Sequence, residues 1–230
     1  MWTSFNKQIK SVNSFDKLIS YPMRGEMNAV CWTRKLSGDF AEIVEQIEAT
    51  DNITVVDELM LDRLVLSKQG ELARATIIHD YQALKAHGAS PTLNLIQYYN
   101  RDVEEDFFPT DVYSFHVDRS PIPTDTFLCT YFGDATEIIS NTDALLKIQI
   151  PEIRAQLINI FQGSEEDFED FLSENYYDLH YEAIPNAPII STGLGNLWRI
   201  AVDCASSNII PCIHRAPIEK NNQPRLLLIC

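Results

Sequence analysis

The sequence is poor in positive charge. Lys and Arg together number 18 against 33 Asp and Glu, which gives a formal net charge of −15 at pH 7. A surface of this kind repels both the phosphate backbone of nucleic acids and an anionic membrane. We therefore expect no nucleic-acid partner and no membrane partner.

Long apolar runs are also absent. No stretch approaches the ~20 residues that span a bilayer, and the segment Met1–Lys10 lacks the continuous apolar core of a secretory signal. The five cysteines cannot all pair within the chain, and most lie in apolar surroundings, as Cys129 and Cys212 do. These features predict a protein of the reducing cytoplasm with buried free thiols.

Several widespread functional motifs are missing. The sequence has no phosphate-binding P-loop, and Gly193-Leu-Gly195 is too short to cradle a dinucleotide. It has no Cys-x-x-Cys pair for a zinc ribbon and no Gly-x-Ser-x-Gly nucleophile turn. These absences argue against nucleotide-binding proteins, zinc ribbons and α/β-hydrolases.

The first part of the chain, residues 1–91, has mostly helical periodicity. Asp39 and Glu42 have the spacing of a capping box, which predicts a helix beginning at Asp39. A second helical region covers about 57–87, with a break or kink near Gly70. We expect this helical part to pack against whatever follows it.

From residue 92 onward strand patterns dominate. Period-two alternation or short apolar runs predict strands at 93–99, 111–118, 126–132, 196–202, 209–214 and 225–230. A helical insertion at about 141–190 includes an acidic segment, 165–182, with eight Asp and Glu and no Lys or Arg. We therefore predict an α+β chain whose residues 92–230 form an antiparallel sandwich or jelly roll, joined to 1–91 in one compact unit.

The residues best suited to chemistry are His116 and Asp118. Residues two apart on a strand point to the same side, so the imidazole and the carboxylate can converge. His214 would complete a set of two histidines and one carboxylate, which leaves open positions on a bound metal. If adjacent antiparallel strands joined by a turn at 216–224 carry His214 and Arg225, the guanidinium returns close to His214 and can clamp a carboxylate.

Other interpretations of these residues stay open. His116 and Asp118 could be a hydrogen-bonded pair without a metal. His180-Tyr-Glu182 has the same spacing, but it lies beside the acidic segment and is expected to be solvated. Cys212 would share a strand face with His214, so it is either a zinc ligand or, as we expect, an inert buried thiol.

The pattern His116-x-Asp118, His214 and, after ten intervening residues, Arg225 resembles the signature of iron(II)/2-oxoglutarate-dependent dioxygenases. This resemblance covers residues 92–230. The segments Asn28-Ala-Val-Cys-Trp-Thr-Arg34, Cys129-Thr-Tyr-Phe-Gly-Asp-Ala-Thr-Glu137 and His214-Arg-Ala-Pro217 are similar to a bacterial family called domain of unknown function 1826. That second resemblance extends over most of the chain and implies no established activity.

The dioxygenase resemblance implies a double-stranded β-helix in which His116, Asp118 and His214 bind iron(II). Arg225 would bind the distal carboxylate of 2-oxoglutarate. Tyr131 and Thr130 are the next candidates for contact with cosubstrate or substrate. Two further arginines are weaker candidates. Arg215 could compete for the anion, and Arg199 follows Trp198 on the same strand and points to the opposite face.

Three functions are compatible with these residues. The first is an oxygenase that hydroxylates a small molecule or a protein side chain. The second is a jelly-roll protein that binds a metal or small ligand without turnover. The third is a zinc-dependent hydrolase or isomerase at the same residues, since zinc, manganese and nickel also accept histidine and carboxylate ligands.

Overall fold

A computed structural model describes residues 7–101, 107–218 and 223–230, so the predicted turn at 216–224 and the N-terminal segment lie partly outside the described residues. The strands form a large and a small sheet. The large sheet contains, in spatial order, β1 (Ile9–Val12), β2 (Ala29–Trp32), β11 (Leu197–Ala201), β6 (Asp125–Phe132), β13 (Arg225–Ile229), β4 (Thr92–Ile96) and β3 (Ile53–Val56). The small sheet contains β10 (Ile189–Ser191), β7 (Glu137–Ile139), β12 (His214–Arg215), β5 (Phe115–His116), β9 (His180–Ala183) and β8 (Ala144–Leu146).

The described residues also form helices on the outside of these sheets. They are α1 (Phe15–Ser20), α2 (Phe40–Gln46), α3 (Glu58–Arg63), α4 (Lys68–Ala86), α5 (Pro151–Ile160) and α6 (Phe168–Glu174). Apart from the parallel pair β1–β2, paired strands are antiparallel. The predicted α+β class is therefore confirmed. None of the described helices is long and apolar enough to cross a membrane.

The two sheets enclose a shared apolar cluster. Leu128, Trp198 and Leu227 of the large sheet pack in it with Ile138 and with Cys212, which precedes β12. The other face of the large sheet carries a second cluster with buried residues of α2, α3 and α4. Because both faces of its central strands are covered, β6 has six consecutive buried residues.

The helix boundaries follow the capping signals closely. The Asp39 carboxylate accepts a hydrogen bond from the Glu42 backbone N–H, so the predicted start of α2 is confirmed. The break in the next helical region precedes Gly70, because α3 ends at Arg63 and Ser67 caps the new helix α4. Gly70 serves a different purpose, since a β-carbon there would collide with the Glu42 carboxylate.

The helical description of residues 1–91 misses three strands. β1, β2 and β3 extend the large sheet at both of its edges. Their four residues each are too few to show a clear period-two pattern. The N-terminal part thus shares a sheet with β4, β6, β11 and β13, while a domain division at residue 91 stays a prediction.

The insertion at 141–190 combines helices with strands. Residues of α5 and α6 pack around Phe108, and β8, β9 and β10 pair into the small sheet. Within the acidic segment 165–182, Phe168 and Leu172 are buried and the neighbouring carboxylates face outward. The interpretation of α6 as an amphipathic helix with one solvated acidic face is confirmed.

Candidate metal centre

The strand pairing brings the two predicted histidine ligands together. His116 on β5 lies directly opposite His214 on β12 in the antiparallel ladder. Residues opposite each other point to the same face of a sheet with their β-carbons about 4.5–5.5 Å apart. The two imidazole ring centroids are accordingly 4.6 Å apart.

Asp118 joins the histidines from the end of the same segment as His116. Its Oδ2 atom lies 3.7 Å from Nε2 of His214. One ligand atom from each of the three side chains lies within 4.8 Å of the others, and no second group of three such side chains occurs in the part of the chain that the structure describes. The donor set of two imidazoles and one carboxylate suits a first-row divalent metal with open coordination positions.

Backbone carbonyls fix the orientation of both rings. Nδ1 of His116 lies 2.8 Å from the Ser114 carbonyl oxygen, and Nδ1 of His214 lies 3.2 Å from that of Cys212. A carbonyl only accepts, so each Nδ1 carries the proton. Each Nε2 then keeps a lone pair for a metal, which is the usual arrangement at protein metal sites.

The electrostatic environment favours the ligating protonation states. Burial, reinforced by the neighbouring His214, lowers the pKa of His116 to about 4. Burial alone would raise the pKa of Asp118, but His214 and the hydrogen bond from Thr126 hold it below its ordinary value. At neutral pH the centre therefore offers a neutral imidazole at His116 and a carboxylate at Asp118, which are the forms that bind cations.

Thr126 is a site residue that the sequence did not reveal. Its hydroxyl donates a 2.6 Å hydrogen bond to Oδ2 of Asp118. It lies on β6, across the space between the sheets, so no local spacing links it to Asp118. Such outer contacts orient a ligating carboxylate and tune its affinity for the metal.

Arg225 lines the same cavity as the three candidate ligands. The cavity has a volume of about 260 Å³ and lies between the two sheets. Arg225 is buried, and its guanidinium donates to Oγ1 of Thr136 at 3.2 Å and to the Tyr99 hydroxyl at 3.4 Å. The walls are mainly apolar and include Ile53, Ile96, Leu128, Leu227 and Ile229.

The route by which Arg225 reaches the site differs from the expected one. β12 and β13 are not adjacent strands, because they belong to different sheets. His214 and Arg225 instead line one cavity from two different sheets. Both residues border the same cavity because the two sheets pack against each other.

Thr130 and Tyr131 have different positions, since neighbouring residues of a strand point to opposite faces. The Tyr131 hydroxyl donates to Asp80 of α4, on the helical side of the large sheet, which corrects its expected contact with cosubstrate. Thr130 is fully buried, but it is not among the residues that line the cavity.

The two weaker arginine candidates also lie elsewhere. Arg215 pairs with Glu137 at 2.7 Å and covers the Phe115 ring on the outer face of the small sheet. Arg199 pairs with Asp125 at 2.6 Å and donates to backbone carbonyls at the end of α1. Both are structural contacts, so neither competes with Arg225 in the cavity.

His180 is buried, which corrects the expectation that it is solvated. It lies opposite His116 on β9, and the two ring centroids are 5.7 Å apart. Glu182 does project into solvent. Cys212 is a buried thiol whose pKa burial raises to about 12, so it is protonated at neutral pH and ill suited to bind zinc.

Comparison of the chain with family models, with curated proteins and with solved structures finds no match. The geometry of the site is therefore what defines its class. That geometry is a cluster of two histidines and one aspartate beside a buried arginine, in an apolar cavity between two antiparallel sheets.

Proposed function

We propose that the protein is a non-haem iron(II)/2-oxoglutarate-dependent oxygenase. The observation that carries the proposal is that His116, Asp118, His214 and the buried Arg225 line one cavity. His116, Asp118 and His214 would bind the metal on one side. Arg225 on the opposite side would bind the distal carboxylate of 2-oxoglutarate, with Tyr99 and Thr136 holding its guanidinium.

The strand order supports a double-stranded β-helix as the fold. The successive strands β4, β5, β6 and β7 alternate between the large and the small sheet, and β10, β11, β12 and β13 do the same. This alternation is what a jelly roll built from paired Greek keys requires. As a result, the two candidate histidine ligands lie on the small sheet and Arg225 lies on the large sheet.

The chain's own residues would bind, orient and shield the reactants. The carbonyls of Ser114 and Cys212 hold the histidine rings, and Thr126 holds the carboxylate. The apolar walls limit the access of water. When bound, iron and 2-oxoglutarate would supply the oxidation. One oxygen atom of O2 would enter the succinate formed, with release of carbon dioxide, and the other would be inserted into a substrate C–H bond.

A direct test is anaerobic titration of the metal-free protein with iron(II) and then with 2-oxoglutarate. We expect a visible metal-to-ligand charge-transfer band, because the cosubstrate would chelate the iron. Metal binding without a band would contradict the oxygenase and favour a zinc-dependent hydrolase or a binding protein. Failure to bind any divalent metal would contradict the oxygenase and the hydrolase, and would leave only a protein that binds a small ligand without a metal.

Substitution of Arg225 by alanine should raise the dissociation constant for 2-oxoglutarate about 10- to 100-fold, because charged hydrogen bonds contribute about 1.5–3 kcal/mol. Iron affinity should stay unchanged, since Arg225 is not a ligand. The measurement is calorimetric titration of the iron- or manganese-loaded protein with 2-oxoglutarate.

Arg215→Ala is the matched control, because Arg215 pairs with Glu137 outside the cavity. It should leave cosubstrate affinity at the wild-type value. Arg225→Lys is a second variant for use if Arg225→Ala does not fold. It keeps a buried cation but cannot form two parallel hydrogen bonds to a carboxylate. Equal cosubstrate affinity in wild type and both Arg225 variants would refute the assignment.

A further inference from the structure

The strand β3 forms an edge of the large sheet. It pairs only with β4 within the residues that the structure describes. About half of its backbone N–H and C=O groups therefore face away from the ladder. An exposed edge of this kind can accept another extended chain by backbone hydrogen bonding.

The side chains of β3 connect this edge to the cavity. Thr54 and Val56 are buried on the helical side, whereas Ile53 and Val55 project from the other face and are 38% and 58% exposed. Ile53 is itself part of the cavity wall. Val55 extends the same apolar face outward, so the face is continuous from the cavity to the edge.

The size of the cavity favours a substrate whose main body remains outside. Its volume of about 260 Å³ is below the roughly 300–1,000 Å³ of pockets that enclose a drug-sized ligand. Once a dicarboxylate occupies the end at Arg225, the remaining space fits one side chain better than a second complete molecule.

The chain segment that contains β3 is acidic. Asp51 and Asp57 flank the strand and are exposed. The surrounding segment 36–62 contains eight Asp and Glu and no Lys or Arg. An extended chain on this edge would therefore be attracted if it carried Lys or Arg and repelled if it carried Asp or Glu.

We propose that the substrate of this centre is a basic polypeptide segment that adds to β3 as an extended strand. It would place one side chain at the cavity mouth beside Ile53. The peptide backbone would pair with the β3 edge, alternate side chains would contact Ile53 and Val55, and the others would remain outside. This inference rests on the proposed oxygenase function for its chemistry, but the binding itself does not require turnover.

The test uses the 230-residue chain loaded with zinc and 2-oxoglutarate. The probes are fluorescein-labelled, end-blocked peptides of about ten residues, in one set with lysine at alternating positions and in a second set with glutamate there. Fluorescence anisotropy should give at least a tenfold lower dissociation constant for the lysine set. Equal affinity for the two sets would overturn the proposal.

Two variants separate a local contact from a general charge effect. Val55→Lys places a cation on the proposed surface and should weaken binding of the lysine peptides at least tenfold. Val65→Lys changes the net charge equally at a residue that is 87% exposed between α3 and α4, and it should leave binding unchanged. Similar losses in both variants would contradict a site on β3.

Backbone pairing has its own signature. A strand donates hydrogen bonds to one neighbour from every second residue. N-methylation of every second peptide residue should therefore abolish binding in one of two series, odd or even positions, and be tolerated in the other. Equal tolerance in both series would overturn strand addition. A protein that forms the iron–2-oxoglutarate complex but binds no peptide would refute this inference alone, whereas peptide binding without that complex would refute the oxygenase alone.

Discussion

Substitution of His116 by alanine should raise the dissociation constant for iron(II) by more than about 100-fold, because loss of even an outer contact to a metal ligand costs 10- to 100-fold. The charge-transfer band with 2-oxoglutarate should disappear as well. The physical reason is that His116 offers one of the three ligand atoms that converge on the site in the part of the chain that the structure describes. Anaerobic equilibrium dialysis against iron(II) measures the effect.

His79→Ala provides the matched control. The His79 side chain is 69% exposed on α4, outside the cavity. Its removal should change neither iron affinity nor the band. Thermal unfolding of both variants checks that the protein remains folded, and stoichiometric iron in folded His116→Ala would contradict the ligand assignment.

The part of this site that the sequence predicted is the part that depends on local geometry. His116 and Asp118 are two residues apart next to a strand, and the period of a strand puts both on one face. Arg225 begins a run of apolar residues, where a charged side chain needs a polar environment. The inference for His116 and Asp118 requires no knowledge of which strands are neighbours, whereas the expected approach of Arg225 to His214 assumes that their strands are adjacent.

The remaining features depend on contacts between distant segments. His180 and Thr126 reach the site through β9 and β6, and no spacing in the sequence links them to the ligands. The expected adjacency of the strands that carry His214 and Arg225 is wrong, because these strands belong to different sheets that both line the cavity.

Tyr131 contacts a buried ion pair between Arg34 and Asp80 on the helical side of β6. Breaking this ion pair is the second change for which we expect a large effect. Asp80 of α4 is 1% exposed and accepts hydrogen bonds from Tyr131 at 2.7 Å and from two nitrogens of Arg34. Arg34 also donates to the Gly195 carbonyl at 2.6 Å and lies over the Trp32 ring. Burial alone would lower the pKa of Arg34, but Asp80 raises it above its ordinary value. This cluster attaches α4 to the large sheet.

Asp80→Asn should reduce the free energy of unfolding by about 3–5 kcal/mol, because it leaves the Arg34 cation buried without its counter-charge. Tyr131→Phe removes one hydrogen bond and should cost about 1 kcal/mol. Urea denaturation followed by circular dichroism measures both. A loss below about 1 kcal/mol in Asp80→Asn would show that Arg34 is not confined as the structure indicates.

The double variant Arg34→Met with Asp80→Leu tests whether the ion pair itself stabilises the fold. The alternative is that only the loss of one partner, which leaves the other charge buried and unpaired, lowers the free energy of unfolding. Apolar residues of similar size often replace a buried pair with little loss, so the double variant should recover most of the stability that Asp80→Asn loses. The cluster lies on the face of β6 opposite Thr126. Neither the double variant nor Tyr131→Phe should therefore alter iron affinity in the folded protein. A lower iron affinity in folded Tyr131→Phe would instead link the helical layer to the metal centre and restore a role for Tyr131 there.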